Sequence, residues 1–511
     1  MLNNTFPEWA FIRLTILLFQ YTPVVYATGV TVLYAVHGPA AISMGATWAL
    51  CAALLAETLF FGLIYRPYLT HLKKDAIHPD PTSPTERMAL FRRCMGNVRS
   101  LELYFQGWFL GAHPDDIRRD NVREFILWAF FERDSDSTSV DDEATRQELD
   151  EFMDIIEKKL ERPLKEGRGS ARCLRLTLDT VDSAYRSMLW YTIVFFIDQL
   201  THLAFLWHGF QYHRRRGSNA VRVFPPRPQE LIGGRPSPST QLSYWHRPHS
   251  AEDQVPVVFF HGIGIGLWTY VGFLAKLAGI NNKKGQGNVG IIAIELLPVS
   301  FRLTSPIPNK MDFLDQMATI INHHSWDNFS IVSHSYGSVL TTHMLHSPSM
   351  HHRISSVTLI DPVTIALHLP HIAYNFTRRQ PKMANEWQLW YYASTDPAVA
   401  LCLGRFFFWR ENIVWKDELL GSESGGRRTE RKVVVCLAGR DLIVNTGAVS
   451  EYLEGDGEMT IDELSREEHD RMKVIMFPTL DHAQLFDDAS AINSVVRLIR
   501  SNCEVDRSVL P

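Results

Sequence analysis

Three residues in the C-terminal half of the chain have types and spacing that suit nucleophilic catalysis. Ser335 follows the apolar stretch 329–332 and precedes an apolar helical pattern. Asp441 and His482 each come shortly after a later β-branched stretch. A serine nucleophile, an acid that orients an imidazole, and a histidine base in this chain order form a recurring catalytic combination. The order predicts covalent catalysis through Ser335.

The residues around Ser335 predict a sharp turn between a strand and a helix. Residues 333–337 read Ser-His-Ser-Tyr-Gly. Such a turn strains the backbone of the nucleophile, so small residues are needed two positions before and after it. Gly337 meets this need, and Ser333 stands where glycine is more usual. Serine-rich turns are common, so the prediction depends on the strand and helix around the motif.

A glycine-rich loop after an earlier strand predicts the anion-stabilising part of the site. Residues 257–260 form a buried strand pattern, followed by His261, Gly262 and two further glycines. A backbone N–H just after His-Gly, which we assign to Ile263, would act with the N–H of Tyr336 to hold a developing oxyanion. No Lys-Ser/Thr ends the run, which disfavours a phosphate loop. His261 is expected to be structural.

Two aspartates compete for the role of the acid. Asp441 lies just past a strand, in a loop position suited to orienting His482. It could instead cap a turn or a helix. Asp361 follows the preceding strand and is the alternative acid. We favour Asp441 for its spacing and loop position.

Taken together, residues 256–503 resemble the α/β-hydrolase superfamily, in particular its serine lipases and esterases. The resemblance implies a mostly parallel sheet flanked by helices and a Ser-His-Asp acyl-transfer mechanism without a cofactor. It also implies that the long insertion at about 362–430 is a lid. Ser335 contradicts the aspartate nucleophile that some members of this superfamily use. Aromatic residues are frequent in the insertion: Trp387, Trp390, Tyr391, Tyr392, Phe406, Phe407, Phe408, Trp409 and Trp415. They indicate either a cover for an apolar acyl pocket or an ordinary packed core.

The elements that must position these residues follow from the hydrophobic pattern. From residue 256 onward, short β-branched runs alternate with helical patterns, which is typical of a parallel sheet in an α/β fold. Strands are predicted at 257–260, 290–295, 329–332, 356–360, 433–437 and 474–477. Helices are predicted at 313–323, 336–346 and 489–500.

The N-terminal part of the chain predicts a membrane anchor. Residues 14–36 carry no charge, and 40–65 carry only Glu57. About 20 apolar residues suffice to cross a bilayer, so the two runs predict a helical hairpin within residues 1–66. Arg66, Lys73 and Lys74 follow, which favours a cytoplasmic position for the rest of the chain at an intracellular membrane. A cleaved signal peptide and a buried soluble hairpin are the alternatives.

The region from 67 to 216 is predicted to be a helical accessory region without chemistry of its own. Its last part, 188–210, is apolar but is interrupted by polar residues that would be costly at a bilayer centre. This pattern favours an amphipathic helix on the membrane surface, with the arginines at 214–216 near anionic headgroups. Packing against the catalytic domain, predicted at 217–511, is the alternative.

Composition excludes several other classes of protein. The formal charge is −5 and the pI is about 6.5, which gives no support for nucleic acid as a partner. The six cysteines lack regular spacing, so neither a disulfide framework nor a zinc site is predicted, and no residue is expected to bind a metal.

The sequence therefore predicts a membrane-associated serine hydrolase that cleaves a small-molecule or lipid ester. An acyltransferase with the same triad is a close alternative. A catalytically inactive membrane scaffold or lipid-binding module is a third. The physiological substrate and the oligomeric state stay open.

Overall fold

The computed structural model describes residues 2–134, 143–215, 222–279, 287–421, 423–424, 427–428, 431–454 and 471–504. At its centre lies a sheet of nine strands: β1 (Gln211–Arg214), β2 (Arg235–Pro236), β3 (Ser243–Arg247), β4 (Val257–Phe260), β5 (Ile291–Glu295), β6 (Phe329–His334), β7 (Ile354–Ile360), β8 (Lys432–Ala438) and β9 (Met472–Phe477). Their spatial order is β9-β8-β7-β6-β4-β5-β3-β1-β2. Pairing from β5 to β9 is parallel, and β3 is antiparallel to both of its neighbours. The predicted mostly parallel sheet is confirmed.

The strands form where uninterrupted apolar runs allow burial on both faces of a sheet. In β4, Val258 and Phe260 pack into one hydrophobic core, while Val257 and Phe259 pack into a second core on the opposite face. Successive side chains of a strand point to opposite faces, so a strand covered on both sides needs apolar residues at every position. This is why the sequence predicted these strands closely.

Helices cover both faces of the sheet and form the N-terminal half of the chain. They are α1 (Phe6–His37), α2 (Gly45–Phe60), α3 (Arg66–Leu69), α4 (Pro84–Gly96), α5 (Leu101–Trp108), α6 (Arg119–Phe131), α7 (Glu143–Leu160), α8 (Met188–Trp207), α9 (Pro228–Leu231), α10 (Val271–Gly279), α11 (Lys310–His323), α12 (Gly337–Leu345), α13 (His371–Thr377), α14 (Ala384–Leu389), α15 (Pro397–Phe406), α16 (Trp409–Asn412), α17 (Lys416–Leu420), α18 (Thr446–Glu454) and α19 (Ala489–Cys503). Two-residue strands also pair at Val223–Phe224 with Leu303–Thr304 and at Glu423–Ser424 with Arg427–Arg428.

Within the described residues, three helical stretches are long and apolar enough to cross a membrane: Phe6–Ser43, Gly45–Lys73 and Met188–Trp207. The first two pack against each other as the predicted hairpin. Glu57 is buried where the hairpin meets α8, and its carboxylate accepts hydrogen bonds from the Tyr185 hydroxyl and from the Met188 N–H at 2.9 Å. This acidic group in the apolar run therefore caps the start of α8.

The polar residues in the middle of helix α8 face the rest of the protein, and its outward side is apolar. Asp198 and Thr201 are buried, whereas its exposed residues recur at helical spacing and include Phe196, Leu200, Leu203 and Trp207. The interruption of the apolar run thus reflects packing against the domain.

One part of the membrane-surface prediction is wrong. Arg215 is buried, and its guanidinium lies 3.4 Å from the carboxylate of Glu230, so this side chain is not available to lipid headgroups. Arg214 lies in β1, and Arg216 lies outside the described residues.

The accessory region shares its core with the sheet. Phe91, Phe125 and Phe152, from α4, α6 and α7, belong to the same hydrophobic cluster as Val258 and Phe260 of β4. Because this cluster is continuous, the accessory helices form one wall of the structure around the candidate site.

Candidate active site

Ser335 occupies a strained turn between β6 and α12. Its φ is +50°, a left-handed conformation that is rare for residues other than glycine, and its N–H donates to the Ile360 carbonyl at 2.9 Å. A Cβ at Gly337 would lie 2.4 Å from the Phe260 carbonyl oxygen, so only glycine fits there. The turn lifts the serine hydroxyl away from the sheet and towards the loops at the ends of the strands.

Ser333 fits at the position where the motif usually has glycine because its hydroxyl has a partner. The side chain is buried, and its oxygen accepts a hydrogen bond from the Thr341 hydroxyl at 2.8 Å. A buried hydroxyl without a partner would be costly, and Thr341, one turn into α12, removes that cost.

The structure brings Ser335, His482 and Asp441 into one hydrogen-bonded chain. The Ser335 hydroxyl lies 2.9 Å from His482 Nε2, and His482 Nδ1 lies 2.8 Å from Asp441 Oδ2. The second oxygen of Asp441 accepts the N–H groups of Ile443 at 2.7 Å and Val444 at 2.8 Å. These amides hold the carboxylate in place, which sets the tautomer of His482 so that Nε2 faces the serine.

Asp361, the alternative acid, lies beside the same histidine but bonds elsewhere. Its carboxylate accepts the N–H of Ala438 at 2.9 Å and of Ala483 at 3.0 Å. Burial raises the pKa of Asp361 to about 7, with the charge of His482 opposing and that of Asp441 adding to the shift. Of the two aspartates, Asp441 is the one hydrogen-bonded to the imidazole.

The environment of His482 predicts a pH dependence. Burial lowers the pKa of His482, but the charge and hydrogen bond of Asp441, helped by Asp361 and Asp481, outweigh burial and raise it to about 9. The unprotonated base therefore accumulates only as the pH rises through that value. We expect the rate constant for phosphonylation of Ser335 to rise with pH, by about tenfold per pH unit well below the pKa. The rate is measured with a fluorophosphonate from pH 6 to pH 10.

The Asp441→Asn variant provides the control for this profile. Loss of the negative charge is expected to lower the pH at which the remaining phosphonylation rate constant reaches half of its maximum. A native profile that is flat, or that levels off below the ordinary histidine pKa of about 6.5, would show that His482 does not limit the reaction.

The amides assigned to the oxyanion both border the pocket that contains Ser335. Ile263 and Tyr336 line it, and neither backbone N–H donates to another group among the described residues. Such free N–H groups, beside the start of α12, are suited to an anion. The Gly264 N–H donates to the Val299 carbonyl at 3.1 Å and steadies the loop.

His261 holds the loop and has no hydrogen bond to Ser335 among the described residues. Its Nδ1–H donates to the Gly262 carbonyl at 2.7 Å, and its Nε2 accepts the N–H of Leu296 at 2.9 Å. Burial lowers the pKa of His261 to about 4, so the ring stays neutral. These bonds agree with the structural role expected for it.

Sequence reasoning missed a pair of residues behind the nucleophile. The Gly262 N–H donates to the Tyr270 hydroxyl at 3.1 Å, and this hydroxyl donates to His334 Nδ1 at 2.7 Å. A Cβ at Gly262 would lie 2.7 Å from His334 Nδ1 and 2.8 Å from Ser335 Cβ. The position of His334 inside the serine motif was a usable signal, but nothing marked Tyr270.

A largely apolar pocket leads away from Ser335. Its cavity volume is about 60 Å³. The lid contributes Leu367, Ile372, Ala373, Phe376, Leu403, Phe407, Phe408 and Trp409 to the lining. The accessory region contributes Trp108, Trp128, Glu132, Leu176 and Thr177, so a region predicted to lack chemistry forms a wall of the site.

Another part of the lid contacts the first candidate membrane helix. The guanidinium of Arg13 in α1 lies over the Trp387 ring at 3.7 Å, and the Tyr392 hydroxyl donates to the Thr15 hydroxyl at 2.8 Å. Of the lid aromatics, one group therefore lines the pocket and another packs on α1.

A parallel sheet with an antiparallel strand towards one edge, and a strained serine turn after a central strand, is the α/β-hydrolase fold. No protein-family model matches this chain, and no curated protein matches it.

Solved structures similar to this chain include a bacterial membrane phospholipase A, a virulence factor (11% identity, TM-score 0.35, covering 61% of this chain and 94% of that one). The naproxen esterase of Bacillus subtilis is 12% identical with a TM-score of 0.32, and the match covers 50% of this chain and 86% of that one. An esterase of Thermogutta terrifontis is 12% identical with a TM-score of 0.34, and the match covers 51% of this chain and 94% of that one. The assignment of the fold follows from this chain's own sheet and turn.

Proposed function

We propose that this protein is a membrane-anchored serine hydrolase that cleaves carboxylic esters with an apolar acyl group. The observation that carries the proposal is the continuous chain of hydrogen bonds from Ser335 through His482 to Asp441. Hydroxyl, imidazole and carboxylate in this geometry activate a serine for attack on an acyl carbon.

The proposed reaction has two stages. Ser335 Oγ attacks the ester carbonyl carbon while His482 Nε2 takes its proton, and the N–H groups of Ile263 and Tyr336 bind the resulting oxyanion. The imidazolium then protonates the leaving alcohol oxygen, and the acyl group stays on Ser335 as an ester. In the second stage His482 deprotonates a water molecule, which attacks the acyl-enzyme and releases the acid.

The class of substrate is inferred from the pocket and from its position beside the membrane helices. The pocket that starts at Ser335 is lined mainly by apolar side chains, which suit a hydrocarbon chain better than a polar acyl group. The lid packs against α1, so an ester drawn from a lipid layer would enter beside the anchor. Cytoplasmic orientation of the domain at an intracellular membrane stays a prediction from the charges that follow the hairpin.

The test of this function is covalent labelling by a fluorophosphonate in detergent micelles. The native protein is expected to label at Ser335, and Ser335→Ala is expected to remain unlabelled. Ser490→Ala removes an exposed serine at the start of α19 and should label like the native chain. Failure of the native protein to label would overturn the proposal, and equal labelling of Ser335→Ala would place the nucleophile elsewhere.

The pocket predicts a change in acyl-chain selectivity when its wall is filled. Ala373 lines the pocket from α13, whereas Tyr374 is partly exposed on the side of the helix towards the surface. We expect Ala373→Trp to lower kcat/KM for a dodecanoyl p-nitrophenyl ester by about tenfold or more relative to the acetyl ester. Tyr374→Trp is the matched control and should preserve the ratio. Equal losses for both chain lengths in Ala373→Trp would place the acyl chain in another part of the protein.

A further inference from the structure

Three histidines that are distant in sequence meet at the edge of the sheet furthest from β9. His213 lies in β1, His246 lies in β3, and His324 directly follows α11. One ring nitrogen from each lies within 4.8 Å of one ring nitrogen of the other two. His213 and Tyr244 are partners across the β1–β3 ladder, so His246, two residues after Tyr244, faces the same side of the sheet.

The hydrogen bonds of this cluster leave nitrogens available for a ligand. The Tyr244 hydroxyl lies 3.0 Å from His213 Nδ1 and 2.9 Å from His324 Nε2. His213 Nε2 and His246 Nδ1 are buried and have no hydrogen-bond partner within the described part of the chain. Buried polar atoms without partners are rare, and a bound ion is one of their ordinary explanations.

The chemistry of the three rings suits a transition metal. Burial lowers the pKa of His213 and of His246 to about 4, with the charge of Arg235 adding to the effect at both, and lowers that of His324 to about 3. Imidazole binds metals in its neutral form, and burial around the three rings favours that form. Imidazole ligands favour zinc, copper, cobalt and nickel over magnesium or calcium.

We propose that His213, His246 and His324 bind one divalent transition-metal ion, such as Zn²⁺, through one imidazole nitrogen each. Zinc–nitrogen bonds of about 2.0–2.1 Å place tetrahedral ligand atoms roughly 3.4 Å apart. Nitrogens that lie within 4.8 Å of one another therefore need to approach by at most about 1.4 Å on binding. The Tyr244 oxygen has two acceptor positions and can receive an N–H from His213 and one from His324, which directs their other nitrogens to the ion.

The position of the cluster assigns the ion a structural role. In the sheet, β4 and β5 separate β3 from β6, the strand that leads into Ser335. The ion would join β1, the first strand after α8, to β3 and to the end of α11. It would therefore fasten the edge of the domain next to a candidate membrane helix, independently of the proposed hydrolase activity.

The test uses the full chain in detergent micelles, stripped with a chelator and titrated with Co²⁺. Bound Co²⁺ is read from its visible ligand-field absorption, and Zn²⁺ is then added to displace it. We expect one Co²⁺ per chain, and an affinity weaker by about 100-fold or more in His246→Asn and in His213→Asn. The matched control is His323→Asn, which removes the exposed neighbour of His324 and should bind like the native chain.

One variant separates this site from the catalytic cluster. Asp361, Asp441 and His482 also hold ligand atoms within 4.8 Å of one another. His482→Asn should keep the Co²⁺ spectrum. If His482→Asn loses it while His246→Asn keeps it, the metal lies at the candidate active site and the proposal is wrong.

The native protein decides the question even if a histidine variant fails to fold. Absence of a one-to-one Co²⁺ complex in the native chain would overturn the proposal. Zn²⁺ is also expected to raise the thermal midpoint of the native chain and of His323→Asn, because a ligand that binds only the folded state stabilises it. An unchanged midpoint at saturating Zn²⁺ would likewise contradict a structural site.

Discussion

His482→Asn is expected to lower kcat for ester hydrolysis by about 10⁴- to 10⁶-fold. Asparagine cannot take the proton of Ser335 Oγ, which His482 Nε2 contacts at 2.9 Å, nor return it to the leaving alcohol. Members of a catalytic triad act as one unit, so loss of the base removes nearly the whole contribution of the serine. The rate is measured with a short p-nitrophenyl ester in micelles.

His352→Asn is the matched control for this change. His352 is exposed and lies beyond the catalytic loops, so its variant should retain native kcat. Circular dichroism of both variants checks that the fold is intact. A folded His482→Asn protein that keeps more than about a tenth of native kcat would exclude His482 as the base.

The second large effect separates the two aspartates beside His482. Asp441→Asn is expected to lower kcat by about 10⁴-fold, because an amide cannot hold the imidazole in the required tautomer or stabilise its charged form. Asp361→Asn should instead act mainly on stability. Asp361 accepts two backbone N–H groups, and loss of one of these bonds costs about 1–3 kcal/mol.

The two variants are compared by kcat and by the midpoint of thermal unfolding. For Asp441→Asn we expect a large fall in kcat and a small change in the unfolding midpoint. For Asp361→Asn we expect a small change in kcat and a large fall in the unfolding midpoint. If Asp361→Asn loses as much kcat as Asp441→Asn while remaining folded, Asp361 is the acid and Asp441 serves to position the loop. That result would reverse our preference for Asp441 as the acid, and the proposal that the protein is a serine hydrolase would stand.

Local patterns in the sequence were enough to predict the catalytic half of the fold. The strand predicted at 257–260 is β4 as observed, and the one at 329–332 ends two residues before the end of β6. These strands are short, β-branched and buried on both faces, so their apolar runs report both conformation and environment. Ser335, Asp441 and His482 follow β6, β8 and β9, and their proximity could be expected because the ends of parallel strands meet at one edge of a sheet.

Other features depend on contacts between distant segments and had no local signal. Trp108 and Trp128 lie in the region predicted to be helical and without chemistry, and only packing places them in the pocket with Ser335. Asp198 interrupts an apolar run because its carboxylate pairs with two buried guanidinium groups more than 25 residues away. The nitrogen–oxygen distances are 2.9 Å to Arg227 and 2.8 Å to Arg302.

By itself, the sequence determined the six parallel strands β4 to β9, the backbone turn at Ser335, and the runs that are apolar enough for a membrane. Only the tertiary structure decided that Asp441 bonds His482, that the accessory helices line the pocket, and that His213, His246 and His324 meet. The physical reason is that hydrophobic periodicity and turn chemistry act between near neighbours along the chain. Packing between segments far apart in sequence decides which group pairs with a buried charge or a ring nitrogen. It also decides which residues form the wall of a pocket.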